Sequence, residues 1–365
     1  MRKRWRNRTL WVLIGVCCFV YWLAGGASIG DQRKFLWSLM SFWYDSIEER
    51  DFYHWNASGL EPSNLRPKNV LILSSMGRSG SSFLGELIAS QSGNVYFFEP
   101  ERTLARGDRE AVQKAVGESF RCRISEDFLE RDFSWYAIRV SSPLMCHYER
   151  WVRSDVPKAR RICERQGLRI VKTIRVRLEW MTELIEDEDL SLKVIHLVRD
   201  PRGSLLSQST GHWPLDMEEK CQNVMQDLRH REKMEKDFPD RFLFIRYEDL
   251  CRDPWGKTVE IMRFLNTDAT LEEPPANATR QADLPHCVAS FLQSHNQFGF
   301  RFYSTYRNTL TVYQKWRERI SQDFLKETEE QCGHVITALG YNLFGSVAAV
   351  RDMDIPITVD QRRGA

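Results

Sequence analysis

Between residues 69 and 345 the apolar positions follow two alternating rhythms. Short unbroken apolar runs are each followed by a turn, and then by stretches in which apolar residues recur three and four apart. Val70-Leu71-Ile72-Leu73 is the first run, and it ends in turn residues from Ser74 to Gly80. Ser81 to Ser90 then reads as a helix, with Phe83, Leu84, Leu87 and Ile88 on one face. Val95–Phe98, Leu168–Lys172, Lys193–Val198 and Phe242–Ile245 repeat the strand signature, and a helix through Trp180, Met181, Leu184 and Ile185 follows the third run. Helices carrying Trp316, Phe324, Cys332 and Leu339 close this part, and residues 346–365 read as a C-terminal tail. Strands separated by helices predict an α/β fold, a central parallel sheet joined by right-handed crossovers. No internal repeat is visible.

A different pattern precedes this domain. Leu10 to Ala27 is eighteen residues without a charge. As a helix it spans about 27 Å, close to the thickness of a bilayer's hydrocarbon core. Arg2, Lys3, Arg4, Arg6 and Arg8 flank it on the N-terminal side, which keeps residues 1–9 cytosolic. The pattern predicts a transmembrane signal-anchor at 10–27 and type II topology. The rival is a secretory signal cleaved at the small residues Gly25-Gly26-Ala27-Ser28. Either way the chain beyond residue 28 enters the secretory lumen. Residues 28–68 form a stem, rich for a linker in aromatics such as Trp37, Trp43 and Trp55, and the globular domain covers 69–345.

Composition narrows the class. At 42% apolar and 28% charged residues the chain is globular, neither disordered nor fibrous. Lys and Arg number 52 against 50 Asp and Glu, a balance that gives no reason to expect a nucleic-acid partner. Five of those positive charges precede residue 10, so the remainder is net acidic. Beyond the span lie Cys122, Cys146, Cys163, Cys221, Cys251, Cys287 and Cys332. None sits in a CxxC pair or a Cys/His cluster, so no metal site is predicted. An oxidising lumen favours disulfides, and the odd count leaves at least one thiol unpaired or intermolecular. Asn56 and Asn277 head the luminal glycosylation sequons, while Asn7 lies on the cytosolic side.

Two segments carry candidate chemistry. The first is Ser74-Ser75-Met76-Gly77-Arg78-Ser79-Gly80-Ser81-Ser82, between a strand and its helix. Glycines permit a tight turn, the helix N-terminus offers N–H groups, and hydroxyls add donors, so a phosphate or sulfate fits. Walker A chemistry is disfavoured, because Gly80 is followed by Ser81 and the nearby cation is Arg78. The second is His196-Leu197-Val198-Arg199-Asp200-Pro201-Arg202, with Ser207 further on. Pro201 suits the first turn of a helix, which puts Ser207 on the side of Ser204 and lets it share one phosphate with Arg199.

Together, Gly77-Arg78-Ser79-Gly80-Ser81-Ser82-Phe83-Leu84 and His196–Arg202 resemble the two nucleotide-binding signatures of Golgi carbohydrate sulfotransferases. The match is nearest the branch that sulfates the 6-hydroxyl of galactose, N-acetylgalactosamine or N-acetylglucosamine. Phe98-Glu99-Pro100, Arg246-Tyr247-Glu248-Asp249-Leu250 and Arg307-Asn308 through Trp316 follow the same family order. The resemblance implies a P-loop nucleotide-kinase-like fold and 3′-phosphoadenosine-5′-phosphosulfate (PAPS) as co-substrate, without a metal. It assigns Gly77, Arg78, Ser79, Gly80, Ser81, Ser82 and Phe83 to the 5′-phosphosulfate side, and Arg199 and Ser207 to the 3′-phosphate. Arg78 meets the charge that builds on the leaving phosphate oxygen.

The acceptor, a glycan or proteoglycan, needs a general base, and Glu99 at the end of the second strand is the candidate. Lys172, His212 and Trp213 are candidate acceptor-side residues, Trp213 because an aromatic face suits a pyranose ring. Glu101 and Arg102 depart from the family, which often has apolar residues there. His196 reads as a core histidine, Glu248 and its neighbours as packing and capping, and Trp316 as core. Another acceptor (a 4-position or a tyrosine) and a catalytically silent luminal glycan-binding protein stay open as alternatives, as does a homodimer. The net acidic luminal part leaves any acidic acceptor to a local groove.

Overall fold

The computed structural model describes residues 66–91, 93–105, 107–124, 138–141, 149–151, 156–265, 284–295, 305 and 307–359. The membrane-span reading of 10–27, the stem as far as residue 65, and the sequons at Asn56 and Asn277 lie outside them. Among the described residues no helix is long and apolar enough to cross a membrane.

Seven strands form one sheet: β1 (Lys68–Leu73), β2 (Asn94–Phe98), β3 (Ile138–Ser141), β4 (Glu149–Trp151), β5 (Leu168–Thr173), β6 (Leu192–Val198) and β7 (Phe242–Arg246). Their order across the sheet is β4-β3-β2-β5-β1-β6-β7. Five of them, β2-β5-β1-β6-β7, are mutually parallel, as the apolar runs predict. The antiparallel pair β3 and β4 on the β2 edge is an addition to the expected sheet. Both are short, and their mixed charged and apolar residues give no run to read.

The apolar strands are consistent with burial on both faces, as parallel strands under crossover helices must be. Val70, Ile72, Ile170 and Ile195 pack with Leu84, Leu87 and Ile88 of the helix Ser81–Ala89 on one side. Leu84 is fully buried, and its truncation to alanine is expected to cost about 2–5 kcal/mol. A second cluster joins Val198, Leu205, Cys221, Val224, Cys332 and Val335, where the helices Met217–Asp237 and Gln322–Ala338 meet. Cys221–Cys332 is a disulfide between those two helices, and Cys122–Cys163 is a second. Cys287 is also disulfide-bonded, and Cys251 is a free buried thiol.

The C-terminal segment corrects the expectation of a tail from 346. Ser346 caps a short helix, Val347–Arg351, and Tyr341 bridges to Thr358. Arg317 donates to the carbonyls of Val350, Asp352 and Ile355, and Val350 is fully buried. Guanidinium-to-carbonyl bonds of this kind fix a strand-free segment without any periodic pattern in it.

Candidate active site

The C-terminal ends of β2, β5, β1, β6 and β7 point the same way, so the loops after them share one rim, the usual ligand edge of an open α/β sheet. A cavity of about 840 Å³ opens there. Among the described residues it is lined by eight cations, Arg78, Arg102, Lys172, Arg175, Arg199, Arg307, Lys315 and Arg319, against two carboxylates, Glu86 and Glu99. In a chain of nearly balanced charge this concentration is local, and it suits a polyanion.

The β1 loop is held in place by both neighbouring strands. Ser75 shares a hydrogen bond of 2.8 Å with His196, whose ring burial pushes down to a pKa of about 3 and so keeps neutral. Arg177 donates to the Ser75 carbonyl at 3.2 Å while paired to buried Asp227 at 2.7 Å. Gln208 donates to the Gly77 carbonyl at 3.1 Å. The loop then turns through two left-handed residues, Arg78 (φ 64°) and Gly80 (φ 89°). A Cβ on Gly80 would lie 2.3 Å from the Tyr247 ring, so only glycine allows this approach.

Gly80 is also the N-cap of the helix Ser81–Ala89, and no side chain caps that terminus. Its first N–H groups are therefore left to a ligand, with the helix dipole favouring an anion. The Ser79 hydroxyl and the Arg199 Nε are buried without a hydrogen-bond partner. Orphaned donors at a turn of this shape fit the phosphosulfate and phosphate groups of PAPS.

The two sequence signatures meet directly. Arg78 Nε donates to the Ser207 hydroxyl at 3.1 Å, and Arg199 Nη1 donates to the Arg78 carbonyl at 2.7 Å. Arg199 also lies 4.9 Å over the Tyr247 ring. Pro201 begins the helix Pro201–Thr210, with Asp200 as its N-cap, and Ser207 lines the cavity while Ser204 is fully buried. Arg202, fully buried, pairs with Asp200 and Glu329 and lies over the rings of Trp316 and Phe344. That network locks the Asp-Pro turn beside Arg199.

Glu99 lies on the other side of the loop. It has φ 51°, and with Arg78 it is one of five non-glycine residues of positive φ among the described residues. Such backbone strain concentrates at functional sites. Its carboxylate is 4% exposed as a residue and is gripped by Lys172 through Oε1 and by Arg175 through Oε2. Burial alone would raise this carboxyl, but the two cations more than offset it and hold it below the usual carboxylate range. Glu101 is packed behind, accepting from the Thr173 hydroxyl with its second oxygen unpartnered. Burial and the Glu99 charge push Glu101 up to about 7.

Of the residues expected on the acceptor side, Lys172 and Trp213 line the cavity. Trp213 packs on the loop, 2.6 Å from where a Gly77 Cβ would stand. His212 is corrected: it is exposed, in a left-handed turn after the helix, and does not line the cavity. Glu248 is a buried capping group, accepting from Tyr341 at 2.5 Å and from the Asp200 N–H at 3.2 Å. Trp316 is buried as expected, and one edge also reaches the cavity. Arg175 and Arg319 carry no sequence signature. Arg102 stands out in sequence only as a departure beside Glu99, and Lys315 only within the stretch from Arg307 to Trp316; the sheet order and the closing helices bring all four to the cavity.

A helix N-terminus and converging arginines over the edge of a parallel sheet define a nucleotide-type anion site, and the sequence supplies its class. Residues 68–324 match the family model of the sulfotransferase domain, and the chain belongs to that family. It is a sulfotransferase enzyme that uses PAPS. The curated relatives it resembles are carbohydrate sulfotransferases. Mouse carbohydrate sulfotransferase 1 is 27% identical over 362 residues, covering 82% of this chain and 85% of that protein. Human carbohydrate sulfotransferase 3 is 24% identical over 359 residues, covering 81% and 72%. Mouse carbohydrate sulfotransferase 5 is 26% identical over 346 residues, covering 79% and 84%. Among solved structures, the sulfotransferase domain from the Synechococcus PCC 7002 olefin synthase covers 74% of this chain and 97% of its own, with TM-score 0.35 and 20% identity. Mouse sulfotransferase SULT7A1 complexed with PAP covers 73% and 83%, with TM-score 0.38 and 14% identity.

Proposed function

We propose that this chain transfers the sulfuryl group of PAPS to a hydroxyl of a glycan, the 6-hydroxyl of galactose, N-acetylgalactosamine or N-acetylglucosamine. The observation that carries this reading is the junction of the two signatures, Arg78 on Ser207 and Arg199 on the Arg78 carbonyl, in the same cavity as Glu99. The carbohydrate acceptor follows the names of the relatives.

In this assignment Arg78, Ser79, Gly80, Ser81 and Ser82 hold the 5′-phosphosulfate through backbone N–H groups and hydroxyls, and Phe83 lies beside them. Arg199 and Ser207 hold the 3′-phosphate. Glu99 takes the acceptor hydroxyl's proton as the acceptor oxygen bonds to sulfur and the bond from sulfur to the 5′-phosphate oxygen breaks. Arg78 meets the negative charge that appears on that oxygen. The products are the sulfate ester and 3′-phosphoadenosine-5′-phosphate (PAP). A mixture of terminal-sugar acceptors, with mass-spectrometric location of the sulfate, tests the position: sulfate found at a secondary hydroxyl or on tyrosine overturns the 6-hydroxyl assignment.

The same reading places the enzyme in the Golgi membrane as a type II protein, with 1–9 cytosolic, 10–27 spanning, 28–68 as stem and Asn56 and Asn277 glycosylated. The disulfides support an oxidising compartment. Protease protection of the domain in intact vesicles, with glycosidase-sensitive mobility, is the expected result. Digestion of the domain in sealed vesicles contradicts it.

A further inference from the structure

The rim of the site carries more positive charge than the donor nucleotide accounts for, and the sheet order sorts that charge. Lys172 at the end of β5, with Glu99 and Arg102 after β2 and Arg175 after β5, lies on one side of the β1 loop; Arg199, Ser207 and Tyr247 follow β6 and β7, on the other. With neighbouring strands about 4.8 Å apart, β2 and β6 lie roughly 14 Å from each other. The donor's anionic groups belong with the loop and the β6 side. Lys172 is buried, bonded to Glu99 and 4.1 Å over the Phe98 ring, so it is committed. Arg175 is different. It holds the other Glu99 oxygen with a third of its side chain exposed, and Arg102 stands exposed on the same wall.

We propose that Arg175, with Arg102 beside it, binds an anionic substituent of the acceptor, a carboxylate or a sulfate ester, and in turning to that anion releases Glu99 to act as base. This deepens the sulfotransferase reading above and rests on it. With both cations in place the Glu99 carboxylate is a poor proton acceptor. Exchange of Arg175 from one anion to another keeps the guanidinium paired throughout, and its fork suits either carboxylate or sulfate. A neutral acceptor offers no such exchange, because moving Arg175 would leave it without a counter-charge. Glu101 is buried behind Thr173 on the same side, and its raised carboxyl marks this pocket as one that disfavours a second negative charge beside Glu99. The substrate's own charge thus switches on the base, and this makes Arg175 a specificity-determining residue.

The test uses the full-length enzyme, labelled PAPS and three acceptors sharing one terminal sugar, next to a neutral hexose, a uronate or a sulfated hexose. The parent is expected to favour at least one anionic acceptor over the neutral one by tenfold or more in kcat/KM. Which anion wins identifies the group. Arg175→Gln is expected to shrink that ratio at least tenfold, by losing the anionic acceptor and gaining on the neutral one, with PAP affinity retained. Arg102→Gln raises KM for the anionic acceptor more than for the neutral, and it carries the test if Arg175→Gln fails to fold. A parent ratio near one, or equal loss on both acceptors in Arg175→Gln, overturns the inference while leaving the sulfotransferase intact. A folded parent that neither binds PAP nor sulfates any acceptor overturns both.

Discussion

Replacing Gly80 with alanine puts a methyl carbon 2.3 Å from the Tyr247 ring, at a residue whose φ is 89°. Two separate costs follow. The left-handed backbone penalises any Cβ by about 1–2 kcal/mol. Overpacking against a buried ring adds about 1–3 kcal/mol, since Tyr247 has little room to retreat. The sum is about 2–5 kcal/mol, or a melting temperature lowered by roughly 2–4 °C for each of those kcal/mol in a domain of this size. Gly93 separates the two costs. Its φ is also positive, 72°, but nothing lies within 4 Å of its Cβ position, so Gly93→Ala carries the backbone cost alone. Relief of the clash would push the Tyr247 ring against Arg199, which lies 4.9 Å over it. Gly80→Ala is therefore expected to bind PAP at least tenfold more weakly, and Gly93→Ala to bind it like the parent. Melting curves and titration calorimetry on the three proteins provide the comparison. Equal melting temperatures for the two variants, together with parental PAP affinity in Gly80→Ala, would refute the close-approach argument.

Three further outcomes follow from the same structure. Arg199→Ala weakens PAP binding by about 1.5–3 kcal/mol, whereas Arg78→Ala chiefly lowers kcat, by about three decades if roughly 4 kcal/mol of charge stabilisation is lost; steady-state kinetics with calorimetry separate the two. Glu248 is pushed up to about 7 by burial and by the neighbouring Asp200, from an ordinary 4.5. The unfolded chain releases this proton first, so stability falls as pH rises from 4.5 to about 7 and stays lower above. Glu248→Gln should then gain on the order of 3 kcal/mol over the parent at pH 8 and much less at pH 5, read from denaturant midpoints. Cys332→Ser opens the clip that joins residues 111 apart in sequence and should cost about 2–5 kcal/mol, seen as a lower melting temperature.

The parallel strands were legible because burial on both faces makes each an unbroken apolar run, and their predicted bounds lie within two residues of the observed ones. The loop from Gly77 to Phe83 and the pair Arg199 and Ser207 stand out in sequence through the two motifs taken together with the family resemblance, and the structure brings Arg78–Phe83, Arg199 and Ser207 to one cavity. The long helix Met217–Asp237 escaped notice, since charged residues dominate it and its buried side is a thin line through Cys221, Val224 and Leu228. Arg175 and Arg102 were invisible as site residues for another reason. Arg102 stands out only as a departure after Phe98-Glu99-Pro100 and nothing near Arg175 sets it apart; the adjacency of β5 to β2 brings both to the cavity. His212 sits exposed at the left-handed turn that ends its helix, and it is the following residue, Trp213, that lines the cavity. The segment 346–359 failed because its anchors, Arg317 above all, lie elsewhere in the chain.

The most direct measurement of the central claim is transfer of labelled sulfate from PAPS to a panel of galactose-, N-acetylgalactosamine- and N-acetylglucosamine-terminated glycans by the full-length chain, with Glu99→Gln alongside. The account predicts a sulfated glycan with the parent, and PAP binding without transfer by Glu99→Gln. A Glu99→Gln variant that transfers at the parental rate, or a folded parent that binds no PAP, would contradict it.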